Sequence, residues 1–127
     1  MPRPGAADGG AAKPTIINLN LEIGLPTVAE ALDRLQARLN QARIQGASVV
    51  RVIHGWGSTV GGGGKIRQAA RQWLLKQQAS GQVRTVLFGD HYTHTETETK
   101  ILQRRYPELT RTEPQDRHNP GITFVEL

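Results

Sequence analysis

Apolar and polar positions alternate with two periods along the chain. Thr15-Ile16-Ile17-Asn18-Leu19-Asn20-Leu21 is β-prone and partly alternating, which predicts a first strand. After the connection Glu22 to Pro26, Val28, Leu32, Leu35, Leu39 and Ala42 recur every three or four residues, the spacing of an amphipathic helix. Thr27-Val28-Ala29-Glu30 supplies a capping box at its start, Arg34, Arg38 and Gln41 lie on its wetter side, and Gly46 ends it. Val49 to Ile53 reads as a second strand with both faces buried. A glycine loop, Gly55 to Gly64, leads to a second helix from about Lys65 to Ala79, with Ile66, Ala69, Ala70, Trp73 and Leu74 inward and Gly81 closing it. Val83 to Phe88 and Gly121 to Leu127 complete the strands.

The order β-α-β-α-β-β predicts an α/β two-layer sandwich with a mixed four-stranded sheet and two main helices. The helical crossovers imply parallel pairing, and the last strand joins antiparallel. Residues 15–127 form one domain, and residues 1–14, rich in Pro, Gly and Ala, read as a disordered tail. The stretch at about 90–119 is an insertion, too long for a hairpin. It should hold a short helix opened by a second capping box at Thr95-Glu96-Thr97-Glu98 and ended near Tyr106-Pro107.

That topology brings the carboxyl ends of the strands to one rim, where ligands of open α/β sheets bind. Asn18, Asn20 and Glu22 leave the first strand there, His54 the second, and Asp90, His91 and His94 the third. Strand, glycine loop and helix start make an anion site, with outward backbone N–H groups and a favourable helix dipole. Net charge is +5, which points to an anionic partner, with nucleic acid the commonest. The absence of cysteine excludes disulfides and thiolate metal sites and is compatible with a cytoplasmic home. No apolar run approaches the roughly 18 residues of a membrane span, and no signal peptide is read.

The glycine loop fits neither common nucleotide motif. Val60 stands where the dinucleotide fingerprint needs glycine. Thr59 replaces the first P-loop glycine and Ile66 the hydroxyl residue after Gly64-Lys65, so no cofactor is expected. The run Val-Arg-Val-Ile-His54-Gly55-Trp56-Gly57-Ser58, with the helix Lys65-Ile66-Arg67-Gln68-Ala69, resembles the Smr domain, the small MutS-related module. The capped helix Thr27-Val28-Ala29-Glu30-Ala31-Leu32 resembles that family's first helix, and Gly121 to Leu127 its last strand.

The resemblance implies an α/β sandwich that binds DNA or RNA, in a family where several members are endonucleases. It also implies two motifs: Asp-x-His at the end of the first strand and His-Gly-x-Gly after the second. The second motif is intact at His54-Gly55-Trp56-Gly57, whereas Asn18-Leu19-Asn20 replaces the first. Amides hydrogen-bond phosphate but take no proton at neutral pH.

The leading expectation is therefore a nucleic-acid-binding domain. Asn18, Asn20, Gly55, Trp56, Gly57, Ser58, Lys65, Arg67 and Arg71 would contact the ligand, with Trp56 offering a stacking surface. One alternative is an endonuclease in which His54 acts with Asp90, His91 and His94. The spacing of the last two suits a metal, but the ligand set is incomplete and no metal site is assigned. Another alternative is a protein-interaction module whose basic 90–119 insertion, with Arg104, Arg105, Arg111 and Arg117, docks a partner.

Overall fold

The computed structural model describes residues 14–56 and 64–127. The elements follow the expected order: β1 (Ile16–Asn20), α1 (Val28–Ile44), β2 (Val49–Ile53), α2 (Lys65–Ala79), β3 (Thr85–Phe88), α3 (Thr97–Arg105), α4 (Glu113–Asp116) and β4 (Ile122–Glu126). Single 3₁₀ segments span Gly89–His91 and Pro107–Thr112. All but Pro14 of the expected tail lies outside the described residues, as do Gly57 and Ser58. Among the described residues no helix is long and apolar enough to cross a membrane.

Local chemistry sets the boundaries. Thr27 caps α1 through its hydroxyl, which accepts from the Glu30 N–H at 3.1 Å, while the Glu30 carboxylate accepts from the Thr27 N–H at 2.8 Å. The second capping box does not form. Glu96, without a side-chain bond, precedes α3, and the Thr95 hydroxyl pairs instead with that of Thr93 at 3.0 Å. Thr99 braces this turn, donating to the His91 carbonyl and accepting from the Thr93 N–H.

The sheet order is β1-β2-β4-β3. β1 and β2 pair in parallel, with Asn20 opposite Ile53. The parallel pairing expected between the second and third strands is absent. β4 lies between them, antiparallel to both. The reason is burial: every residue of β4 is buried, so it takes the centre, while the half-buried ends of β3 suit an edge. β3 still runs in the same sense as β1 and β2, so the three carboxyl ends share a rim, and β4 begins there.

Period-two alternation sends Leu19, Val50, Val52, Val86 and Val125 to the helical face, where Leu35, Leu39, Ala70 and Leu74 cover them. The opposite face carries Val49, Leu87, Ile122 and Phe124. The insertion does not stand off the domain. Tyr92, Leu102 and Leu109 close over this second face and add a partial third layer. Tyr92 and Phe124 meet at 4.5 Å between ring centroids.

Polar latches hold the insertion down. Arg51, in mid-strand, donates through Nε to both Asp116 oxygens at 3.1 Å, and Thr112 donates to Asp116 at 2.7 Å. Glu126 is also buried. Arg105 donates to both of its oxygens at 2.9 Å, Tyr106 to one at 2.7 Å and Thr85 to the other at 2.8 Å. Burial opposes its ionisation, but these donors outweigh burial and hold the carboxyl below the usual range.

Candidate nucleic-acid interface

The chain leaves β2 through His54 and doubles back over the start of β4. The N–H groups of His54 and Gly55 both donate to the Gly121 carbonyl, at 3.0 and 3.1 Å. They are spent on the fold, so these two outward N–H groups expected of the loop are not available to an anion. The N-terminus of α2 is different. Gly64 offers no side-chain cap, and the first turn holds no acidic residue.

His54 is buried, and both ring nitrogens are engaged. Nδ1 lies 3.0 Å from its neighbour's carbonyl at Gly55, and Nε2 lies 2.9 Å from the Thr123 hydroxyl. A carbonyl only accepts, so Nδ1 carries the hydrogen and Nε2 accepts from Thr123. Thr123 in turn accepts from Arg71 Nε at 3.1 Å, a chain that selects the neutral ring. Burial pushes the His54 pKa down to about 4. The Gly55 carbonyl and, more weakly, Asp90 oppose that fall, and the charges of Arg71 and Arg67 deepen it. At neutral pH the ring is uncharged, and its one N–H is directed to the Gly55 carbonyl.

Arg71 does not face solvent as a phosphate ligand. It donates to Asp90 at 2.6 Å and to the carbonyls of Pro120 and Ile122, and its guanidinium lies 4.3 Å from the centre of the Phe88 ring. Asp90 is correspondingly consumed. Burial opposes its charge, but the Arg71 bond prevails and holds its carboxyl below the usual range. His91 and His94 are exposed, and among the described residues no group of three metal-ligating side chains forms. Of the expected set, Asp90 is tied to His54 through Arg71 and Thr123, whereas His91 and His94 make no side-chain hydrogen bond to either among the described residues.

The asparagines are also elsewhere. By strand alternation Asn18 and Asn20 lie on the face of β1 shared with Ile16, opposite the helical layer. Asn18 lines a cleft of about 290 Å³ with Arg51, Glu108 and Arg111, and Asn20 accepts from the Glu22 N–H at 2.8 Å.

The side chain from the end of β1 that meets the His54 loop is Glu22. A Cβ on Gly55, whose φ is +82°, would collide with its carboxylate. Gly55 is thus required twice, by its left-handed backbone and by this close approach. Sequence reasoning placed Glu22 at the rim but gave the contacts there to Asn18 and Asn20. Thr123 and Arg34 were also missed. Arg34 is not simply on a wet helix face: it donates to the carbonyls of Leu21 at 3.2 Å and Ile23 at 2.9 Å, tying the β1–α1 connection to α1.

Lys65 is exposed and Arg67 half-buried at the start of α2, and neither has a carboxylate partner among the described residues. Trp56 is 68% exposed, and the edge of its indole rests against Gly121. Trp73, by contrast, packs against the helical core.

The chain is similar to the Smr domain of MutS2 from Thermus thermophilus at 26% identity. The match covers 89% of this chain and 96% of that one, with a TM-score of 0.50. No curated protein matches it. The model of the Smr domain matches residues 23–91, more than half of the length. On that match, and with the His54 loop set between β2 and α2, the chain belongs to the Smr domain family, known for nucleic-acid binding and endonuclease roles.

Proposed function

We propose that this domain binds DNA or RNA through backbone phosphates, at the rim where β2 leads into α2. The observation that carries the reading is the pair Lys65 and Arg67 at the start of a helix whose cap residue is Gly64 and whose first turn holds no acidic residue. Cations there oppose the helix dipole, an arrangement that an anionic ligand relieves. Net charge of +5 supplies the long-range attraction. Gly57 and Ser58, expected from the sequence to contact the ligand, lie outside the described residues. Arg71 and His54 support it from behind, as a brace between α2, β4 and the loop.

The test is a titration of labelled oligonucleotides over a range of salt. Binding through phosphates weakens steeply as salt rises, because counterions are released on association. Absence of binding, or affinity independent of salt, would overturn the reading.

One observation favours cleavage as a second reading. The Glu22 carboxylate seated on Gly55 places a proton acceptor at the loop, where the asparagines cannot serve. In this reading Glu22 replaces the set of Asp90, His91 and His94. Supercoiled plasmid and structured RNA are incubated with the wild type and with Glu22→Gln, with and without chelator. Cleavage by the wild type that is lost in the variant supports the reading; intact substrate in every lane rejects it.

A further inference from the structure

The rim exposes apolar side chains in a way that phosphate binding does not use. Trp56, Ile23 and Leu25 are 68%, 66% and 94% exposed. Trp56 follows Gly55, Ile23 follows Glu22, and the carboxylate of Glu22 lies against Gly55, so both segments meet at one point of the rim. We propose that Trp56 stacks an unpaired nucleobase, with Ile23 and Leu25 at the neighbouring strand end adding apolar surface to the same rim, so that the domain takes single-stranded nucleic acid in preference to duplex. This rests on the phosphate-binding reading and names its substrate class.

Three features make the patch a built surface. The indole is held by its edge. A Cβ on Gly121 would meet Trp56 Cδ1 at 2.7 Å and Nε1 at 3.1 Å, so the bare glycine seats the ring while most of it stays in solvent. Leu25 has a left-handed backbone, φ +51°, following Gly24 at +83°. A leucine there is strained, and its side chain stays almost wholly in solvent. The strained turn is tied down: the Leu25 N–H donates to the Glu22 carbonyl at 3.1 Å, and Arg34 holds the Ile23 carbonyl.

The charges decide the occupant. Arg67 lies near enough to His54 for its charge to bear on that ring, which puts a cation close to the strand end that presents Trp56, the combination that takes a base and its flanking phosphate. Glu22 is an acid at the patch, and it opposes a phosphate placed directly over Gly55. A duplex offers its bases only as edges in grooves, whereas an unpaired base offers a π face.

The experiment measures anisotropy of labelled single strands of about 15 nucleotides, one DNA and one RNA, and of the matching duplexes, with the full chain. Wild type should prefer single strands. Trp56→Ala should weaken single-strand binding about tenfold while Trp56→Phe keeps most of it, and neither should move duplex affinity. Gly121→Ala, whose new methyl displaces the ring, should act like Trp56→Ala. The DNA and RNA arms show which sugar is accepted. Salt-sensitive binding with equal affinity for both forms and no effect of Trp56→Ala overturns this inference and leaves phosphate binding intact. No binding at all overturns both. Self-association lost in Trp56→Ala, without single-strand preference, overturns it in favour of a protein-facing patch.

Discussion

The insertion and the rim invert each other's chemistry. Where the insertion meets the sheet, charged groups are buried and matched: Asp116 with Arg51, and Glu126 with Arg105. Where the strands end, apolar groups are exposed and unmatched: Ile23, Leu25 and Trp56. Buried charge survives only with partners that offset its desolvation, so the first pattern consolidates the fold. Exposed apolar surface gains little from folding and is where a protein meets a ligand or partner, the role proposed above for the second pattern.

The largest effect that would sharpen this contrast lies in the insertion. Asp116→Ala should cost about 3–5 kcal/mol of stability, because Arg51 is left beneath the insertion without its carboxylate. Denaturant unfolding measures it. A loss within the range of an exposed ion pair would mean that the insertion is not latched.

Next comes pH. The folded pKa of His54 is depressed to about 4 from 6.5, so the unfolded chain takes up the proton first. The contribution is fully present above about pH 6.5 and is lost as pH falls toward 4. The loss should amount to about 2 kcal/mol by pH 5. His54→Gln should remove this part of the acid sensitivity between pH 7 and 5, as read from unfolding midpoints. Equal slopes in both proteins would show that the ring is not held neutral.

Smaller effects belong to the open side of the comparison. Lys65→Ala combined with Arg67→Ala should weaken oligonucleotide binding about tenfold and reduce the salt slope by about two, with stability nearly unchanged. Equivalent loss from Arg105→Ala, in the insertion, would erase the distinction. Smallest, Glu22→Gln should tighten binding about two- to fivefold by removing a like charge beside the phosphate path. Weaker binding would mean that the carboxylate accepts a hydrogen bond from the ligand.

The residues at which sequence reasoning and the structure part company share a cause. Thr27, Glu30 and the spacing of Leu35 and Leu39 act within a few residues, and the first helix follows from them. Thr95-Glu96-Thr97-Glu98 has the same local form, yet it does not cap, because Thr93 and His91 draw its neighbouring hydroxyls elsewhere. Arg71 reads as a surface cation on a helix, and only the approach of Thr123 and Asp90, far along the chain, makes it a brace.

What the sequence determined by itself is the set of elements, the alternation that gives the sheet two faces, the common rim of the strand ends and the Smr resemblance. All of these are periodic or short-range. What only the tertiary structure decided is which partners the polar groups take. β4 entered the centre of the sheet, the insertion became a cover, and His54 became a neutral buried ring. Glu22, rather than Asn18 or Asn20, reached the loop. Hydrophobic periodicity is written into neighbouring residues, whereas the pairing of a buried charge or the exposure of a tryptophan depends on residues dozens of positions away.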